Sequence, residues 1–358
     1  MNFNGIFLKS FRVLLLPFAL LYGLVVKIRN YLYDKNILKS ASFNLPLICV
    51  GNLSVGGTGK SPMVEYLANL LHQQYQVATL SRGYKRKTKG YILANEQTTA
   101  IEIGDEPMQF HNKFPGIAVA VGEERIVAIP QLLHDRPQTQ VIILDDAFQH
   151  RAITPGLNIL LTDYNNLFTK DFFLPTGDLR DQRSSCKRAQ LVVVTKCPPG
   201  LTNEEKLSIA DELNLLPGQQ LFFTTIEYGV PYHITGGQVR YITSLDEVLL
   251  VCGIANPAPL KQYLQEHAHT YDQLDYSDHH IFTIDDLKEM QKRYLAMAAA
   301  QKYILTTEKD AVRLLKFSQQ LEQLPLYVLP VKHKFLFNGA EKFNSVVTSF
   351  INTFYQAV

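Results

Sequence analysis

Apolar residues along this chain fall into short continuous blocks separated by stretches with helical spacing. Residues 45–50 (LPLICV) form the first block, and 77–80, 117–121, 141–144, 157–161 and 191–194 repeat it. A helix is expected over 62–75, where Met63, Tyr66, Leu67, Leu70 and Leu71 recur at helical spacing. Blocks that are apolar at every position are strands buried on both faces. Their alternation with helices implies parallel pairing under helices on both sides of a sheet. The pattern changes over 221–238, rich in Thr, Tyr, Gly and isolated β-formers, which reads as a hairpin or crossover between domains. It restarts with a strand at 248–252, helices near 260–267 and 284–300, strands at 303–305 and 326–328, and a closing helix over 341–355.

Residues 13–26 (VLLLPFALLYGLVV) are uncharged, with Lys9 and Arg12 before them and Lys27 and Arg29 after. Roughly 20 apolar residues are needed to span a bilayer, so the run is short. No small-x-small cleavage site follows that would mark a signal peptide. Basic and aromatic flanks (Phe11, Tyr22, Tyr31, Tyr33) suit a helix lying in the headgroup layer; the bland alternative is a helix packed on the protein's own core.

With 358 residues, 46% of them hydrophobic, the chain has material for two cores. The net charge of +2 supplies no global field for nucleic acid, and basic–aromatic interleaving is absent. Cys49, Cys186, Cys197 and Cys252 are scattered without CxxC spacing. That argues against a disulfide framework or structural zinc and for a reducing, cytoplasmic setting.

The chemistry begins at 51–62, GNLSVGGTGKSP. A strand entering a glycine-rich turn that opens a helix aims several backbone N–H groups at one point, where the helix dipole adds positive potential. Ser54, Val55, Gly56, Gly57, Thr58, Gly59, Lys60 and Ser61 are the expected cradle for ATP, with Lys60 reaching the β- and γ-phosphates and Ser61 on Mg²⁺. The strict phosphate-loop pattern has glycine where Ser54 stands. Residues 141–146 (VIILDD) have the form of the strand that carries an acidic group to that metal, with Asp145 and Asp146 undistinguished by spacing. The expected fold class is therefore α/β. A P-loop NTPase-like domain with a mostly parallel sheet (41–225) follows an N-terminal hydrophobic helix (1–40). A smaller α/β domain (226–358) comes last, its final helix free to pack back on the first.

Taken together, GNLSVGGTGKSP, SRGYKR (81–86), GDEP (104–107), LDDAFQHR (144–151), LPTGDLRD (174–181), SDHHIF (277–282) and TTEKDAVRL (306–314) resemble the tetraacyldisaccharide 4′-kinase family of lipid A biosynthesis, in the family's order. The resemblance implies an ATP- and Mg²⁺-dependent kinase acting on the 4′-hydroxyl of a lipid disaccharide. It implies docking of the N-terminal helix on the cytoplasmic face of the inner membrane; a monomer is the expected state. It makes Asp105 the candidate base, paired with a histidine of SDHHIF, His279 in preference to His280, and puts Glu106 by the metal or the acceptor. Arg82, Arg86, Arg125, Arg151 and Arg180 are candidates to hold phosphate oxygens, since guanidinium forks match them. Asp310 has no evident role beyond capping a helix. Competing readings are another soluble P-loop kinase or ligase, and a switch-type NTPase that positions a water in place of an acceptor.

Overall fold

The computed structural model describes residues 12–355; Lys9 and Phe11, with the rest of 1–11 and 356–358, lie outside the described residues. Its longer helices are α1 (Leu16–Asp34), α2 (Lys60–Leu71), α3 (Asp105–Lys113), α4 (Arg125–Asp135), α5 (Asn203–Leu213), α6 (Ala258–His267), α7 (Ile284–Ala296), α8 (Glu308–Leu314) and α9 (Gly339–Tyr355). The first strands are β1 (Leu47–Asn52), β2 (Val77–Ser81), β3 (Ile92–Leu93), β4 (Ala118–Val121), β5 (Val141–Asp145), β6 (Leu157–Asp163), β7 (Leu191–Thr195) and β8 (Gln220–Tyr228). Then come β9 (Tyr232–His233), β10 (Glu247–Cys252), β11 (Thr270–Asp275), β12 (Lys302–Thr307), β13 (Leu326–Leu329) and β14 (Val331–Phe335).

Nine strands form one sheet in the order β14-β8-β7-β6-β1-β5-β2-β4-β3, and five form another, β11-β10-β12-β13-β9. Every residue of β1 is buried, because it lies between β5 and β6 with both faces covered. Alternation along the strand sends Ile48 and Val50 to a layer with Met63 and Leu67 of α2, Phe110 of α3 and Phe343 of α9. Leu47 and Cys49 face the opposite layer with Ile129 of α4 and Ile209 of α5. Strands of the first sheet pair in parallel except at its two edges, β3 and β14. Ligands in such sheets sit beyond the carboxyl ends of the strands, where β1 and β5 deliver the phosphate loop and Asp145.

The sequence boundary at 225/226 falls inside β8, and the chain returns to the first sheet after the second is built. β14 pairs antiparallel with β8, Phe335 opposite Thr224, and α9 buries Phe343, Val347 and Ile351 in the first core. Period and composition show that an element exists but not which sheet edge it completes, since that pairing spans about a hundred residues of chain.

Helix α1 is oriented by small and polar residues. Ala19, Gly23, Val26 and Asn30 are its buried positions, and Gly23 leaves room for the Phe173 ring. Asn30 donates to Asp181 at 2.7 Å, and the Tyr22 hydroxyl to the Arg180 carbonyl at 3.0 Å. Leu16, Phe18, Leu20, Leu21, Leu24, Val25 and Ile28 are exposed. No helix among the described residues is long and apolar enough to cross a membrane.

A buried ion cluster ties the sheets together. Lys113 at the end of α3 donates to Glu65 of α2 at 2.6 Å and to Glu308 of α8 at 2.5 Å. The other oxygen of Glu308 accepts from the Val331 amide at the start of β14. Burial and the nearby Glu308 push the Glu65 carboxyl up to about 7, against the pull of Lys113. Below its ordinary value of 4.5, folded and unfolded chains both carry the proton. As pH rises towards about 7 the unfolded chain releases it first, so stability falls across that window and levels off above it. Glu65→Gln removes that slope: the melting temperature of the variant minus that of the parent should grow from pH 4.5 to about 7, and a constant difference by calorimetry would count against the shift.

Candidate functional site

Between β1 and α2 the loop turns through Gly56 at φ +102° and Gly59 at φ +83°, conformations that a side chain disfavours. Ser54 stands where the strict pattern has glycine because the chain there has no positive φ and runs beside Leu179. Its hydroxyl lies 3.4 Å from the Asp171 carboxylate. Three strands clamp the far end of the loop. Asn52 of β1 donates to the Thr58 hydroxyl at 2.8 Å, Thr195 of β7 donates to the Thr58 carbonyl at 3.0 Å, and His333 of β14 donates through Nε2 to the Gly59 carbonyl at 2.8 Å. The other ring nitrogen of His333 accepts from the Thr224 hydroxyl at 3.0 Å, and burial lowers the imidazole to about 4, so it stays neutral. His333 carried no sequence signal, being one histidine between two lysines in an edge strand.

Lys60 opens α2, with its ammonium 3.8 Å from Asp146. Arg180 forks onto the same carboxylate, Nη1 at 3.0 Å and Nη2 beside the other oxygen, and also donates to Asn52 Oδ1 at 2.5 Å. Burial would raise the Asp146 carboxyl, but Lys60 and Arg180 outweigh it and hold it below the usual range. Asp145 is different. Burial, then the charges of Asp146 and Glu106, push it up to about 7, and its Oδ1 is buried with no hydrogen-bond partner among the described residues. Asp146 adopts φ +49°, a left-handed conformation that a non-glycine residue keeps when its surroundings over-determine it.

Asp105 and Glu106 begin α3, and TTEKDAVRL and SDHHIF come from the second sheet. His279 Nδ1 meets Asp105 Oδ2 at 2.8 Å; His280 instead bonds Asp286 at 3.0 Å. Arg313 of α8 places Nε at 3.0 Å and Nη2 at 2.6 Å from the same Asp105 oxygen. Burial would raise this carboxyl; Arg313 and His279 bring it below the usual range. Lys309 lies 3.4 Å from Glu106 and 3.3 Å from His279 Nε2. The charge of Glu106 favours the Lys60 ammonium and helps to raise the Asp145 carboxyl, in both cases behind the larger effect of burial. Arg313 and Lys309 lay within a motif quoted from the sequence, yet nothing in their spacing pointed across to Asp105.

Of the five arginines expected to hold phosphate, four have internal partners. Arg86 is committed to the Gly90 carbonyl and Glu123, Arg125 to the carbonyls of Gly122, Glu123 and Asp145, and Arg151 to Asp34 and the Asn30 carbonyl of α1. Partners in turns and helix ends, as far as 121 residues away in the chain for Arg151, captured these guanidinium groups, which sequence does not reveal. Arg180 reaches Asp146, and Arg82 is exposed. Arg29 of α1 keeps Nε and Nη2 buried without a partner among the described residues, and with Arg125 and Arg82 its charge adds to burial in lowering His150 to about 4.

The family model described as tetraacyldisaccharide-1-P 4′-kinase matches residues 11–352. A relative named tetraacyldisaccharide 4′-kinase in Flavobacterium johnsoniae is 47% identical over 95% of this chain and 97% of its own. Its namesake in Bacteroides thetaiotaomicron is 44% identical over 94% and 92%. A crystal structure of LpxK from Aquifex aeolicus in complex with ATP superposes with a TM-score of 0.74 at 29% identity, covering 95% of this chain and 99% of that one.

A Cβ on Gly59 would stand 2.9 Å from the His333 ring at a φ of +83°, whereas one on Gly57 meets nothing within 4 Å. Gly59→Ala should lower stability by about 1–2 kcal/mol from backbone strain alone, and Gly57→Ala should melt with the parent. Equal melting temperatures for the two variants would contradict the clamp.

Proposed function

This chain belongs to the tetraacyldisaccharide-1-P 4′-kinase family, and from that premise we propose that the cleft between its two sheets transfers the γ-phosphate of ATP to the 4′-hydroxyl of a tetraacyldisaccharide 1-phosphate. The observation that carries the reading is the 2.8 Å contact of His279 with Asp105, formed from two sheets beside a phosphate loop. A switch NTPase has no need of such a pair.

Phosphoryl transfer asks the protein for position and charge more than for covalent chemistry. The backbone N–H groups ahead of α2 and the Lys60 ammonium hold the β- and γ-phosphates. Asp145 and Ser61 suit a Mg²⁺ ion: a buried carboxylate oxygen without a partner is what a hard cation satisfies, and Mg²⁺ takes few protein ligands when phosphates supply the rest. When bound, that ion neutralises charge on the β,γ-oxygens. Asp146, paired with Lys60 and Arg180, orders the cationic side of the cleft, and Glu106, held by Lys309, borders the acceptor. The acceptor oxygen forms a bond to the γ-phosphorus as the bond to the β,γ-bridging oxygen breaks and ADP leaves. Asp105 takes the hydroxyl proton, oriented by His279 donating from Nδ1. Arg82 and Arg29, with uncommitted donors near His150, are the groups we assign to the acceptor's own phosphate.

The exposed apolar face of α1 supports a reading in which this cleft works at a membrane surface. Its large side chains point away from the body while small ones face it, the reverse of a helix that serves a core. The site of action is then the cytoplasmic face of the inner membrane, with the acyl chains left in lipid and one chain sufficient for catalysis.

Label from γ-labelled ATP should appear on the monophosphorylated lipid disaccharide, and turnover of ATP without that acceptor would refute the assignment. Lys60→Ala should abolish transfer. Asp105→Ala and His279→Ala should each lower kcat by about 10² or more, with His280→Ala closer to the parent; full rates in both of the first two variants would remove the pair from the mechanism. Leu21→Asp with Leu24→Asp should move the protein from membrane to soluble fractions, and unchanged partitioning would sink the docking role of α1.

A further inference from the structure

We infer that Arg313 is the positioning residue of the Asp105–His279 pair, pinning from the second sheet the one carboxylate oxygen to which the imidazole also donates, so that the other oxygen is left for the acceptor hydroxyl. This rests on the reading of Asp105 as the base. Asp105 Oδ2 faces three nitrogens, Arg313 Nε at 3.0 Å, Arg313 Nη2 at 2.6 Å and His279 Nδ1 at 2.8 Å. Its lone pairs are fully used. No hydrogen bond to Asp105 Oδ1 occurs among the described residues, so a substrate hydroxyl has one oxygen open to it. A proton on His279 Nδ1 satisfies the carboxylate, and the lone pair on Nε2 then accepts from Lys309 at 3.3 Å. Arg313 Nη2 lies 3.0 Å from Nδ1 because both nitrogens donate to the same oxygen, and the imidazole is held through that shared carboxylate. His279 sits at φ +64°, which a non-glycine residue holds when several contacts agree on it.

The guanidinium is itself fixed. Arg313 is 8% exposed, and its Nη1 donates to Asp310 Oδ1 at 3.2 Å. Asp310 is fully buried, its other oxygen accepting from the Thr307 hydroxyl at 2.8 Å and the Gly253 amide at 2.9 Å. The carboxylate with no evident role in the sequence thus anchors the arginine, and joins α8 to the end of β10. A planar fork carried on a rigid anchor transmits position, where a lysine ammonium on a flexible stem would not.

The test uses the full-length protein in the lipid transfer assay, with Arg313→Lys, Arg313→Gln, Asp105→Asn and the double variant Asp105→Asn/Arg313→Lys. Both Arg313 variants should lower kcat by about 10- to 100-fold and leave KM for ATP near the parental value, because the phosphate loop is untouched. Arg313→Lys keeps a cation opposite Asp310 and carries the test if Arg313→Gln does not fold. The double variant should be no slower than Asp105→Asn, as expected if the arginine acts through that carboxylate; multiplied losses would mean a general structural role and overturn the inference. Parental kcat in Arg313→Lys would overturn it too. Parental activity in Asp105→Asn would instead discard the base itself, while a dead Asp105→Asn beside fully active Arg313 variants would discard this inference alone.

Discussion

Charge buried between α3 and α8 is the constraint on which the cleft depends. Lys113 lies between Glu65 and Glu308, and Arg313 reaches Asp105. The side chains of Glu65, Glu308 and Arg313 are 7%, 6% and 7% exposed, and that of Lys113 between the two glutamates 28%. Removing one partner of a buried pair costs about 3–5 kcal/mol, whereas exposed pairs are worth about 1 kcal/mol or less. The inner contacts therefore decide how the sheets meet, and the outer pairs, such as Lys288 with Asp285, do not. Because the Lys113–Glu308 and Arg313–Asp105 pairs join α3 to α8, helices from different sheets, the Asp105–His279 contact depends on the same charges that hold the cleft together.

The phosphate loop follows the same logic at shorter range. Its glycines permit the turn, but the turn is held by Asn52, Thr195 and His333 from three strands. A carbonyl and the following amide of a trans peptide point opposite ways. Drawing the Gly59 carbonyl towards His333 therefore turns the Lys60 amide away from the sheet, towards the mouth of the loop. β14 supplies that histidine and begins where Glu308 accepts from the Val331 amide. The return of the chain from the second sheet thus touches both the ion cluster and the loop.

Helix α1 shows a different balance. A helix that packs on a core turns its large apolar residues inward, yet α1 gives its body side to Ala19, Gly23 and Asn30 and leaves Leu20, Leu21 and Leu24 outside. Its docking is specified by hydrogen bonds from Asn30 and Tyr22 and by Arg151 on its last turn. Polar contacts fix where such a helix lies, and the apolar face is left exposed.

How much of this was legible in the chain depends on the range of the interaction. Strands such as β1 and β5, the helix α2, and the loop from Ser54 to Ser61 are written in neighbouring residues, since burial on both faces, helical period and a glycine-rich turn are local signals. Residue types also marked Asp145 and Asp146 for attention, and the family resemblance marked Asp105 and His279. The tertiary structure alone decided that β14 completes the first sheet under α9, that Arg86, Arg125, Arg151 and Arg180 hold the protein's own oxygens, and that Arg313 and His333 brace the cleft. Those outcomes join residues tens to hundreds of positions apart, and periodicity carries no record of which distant partner reaches a given hydrogen bond.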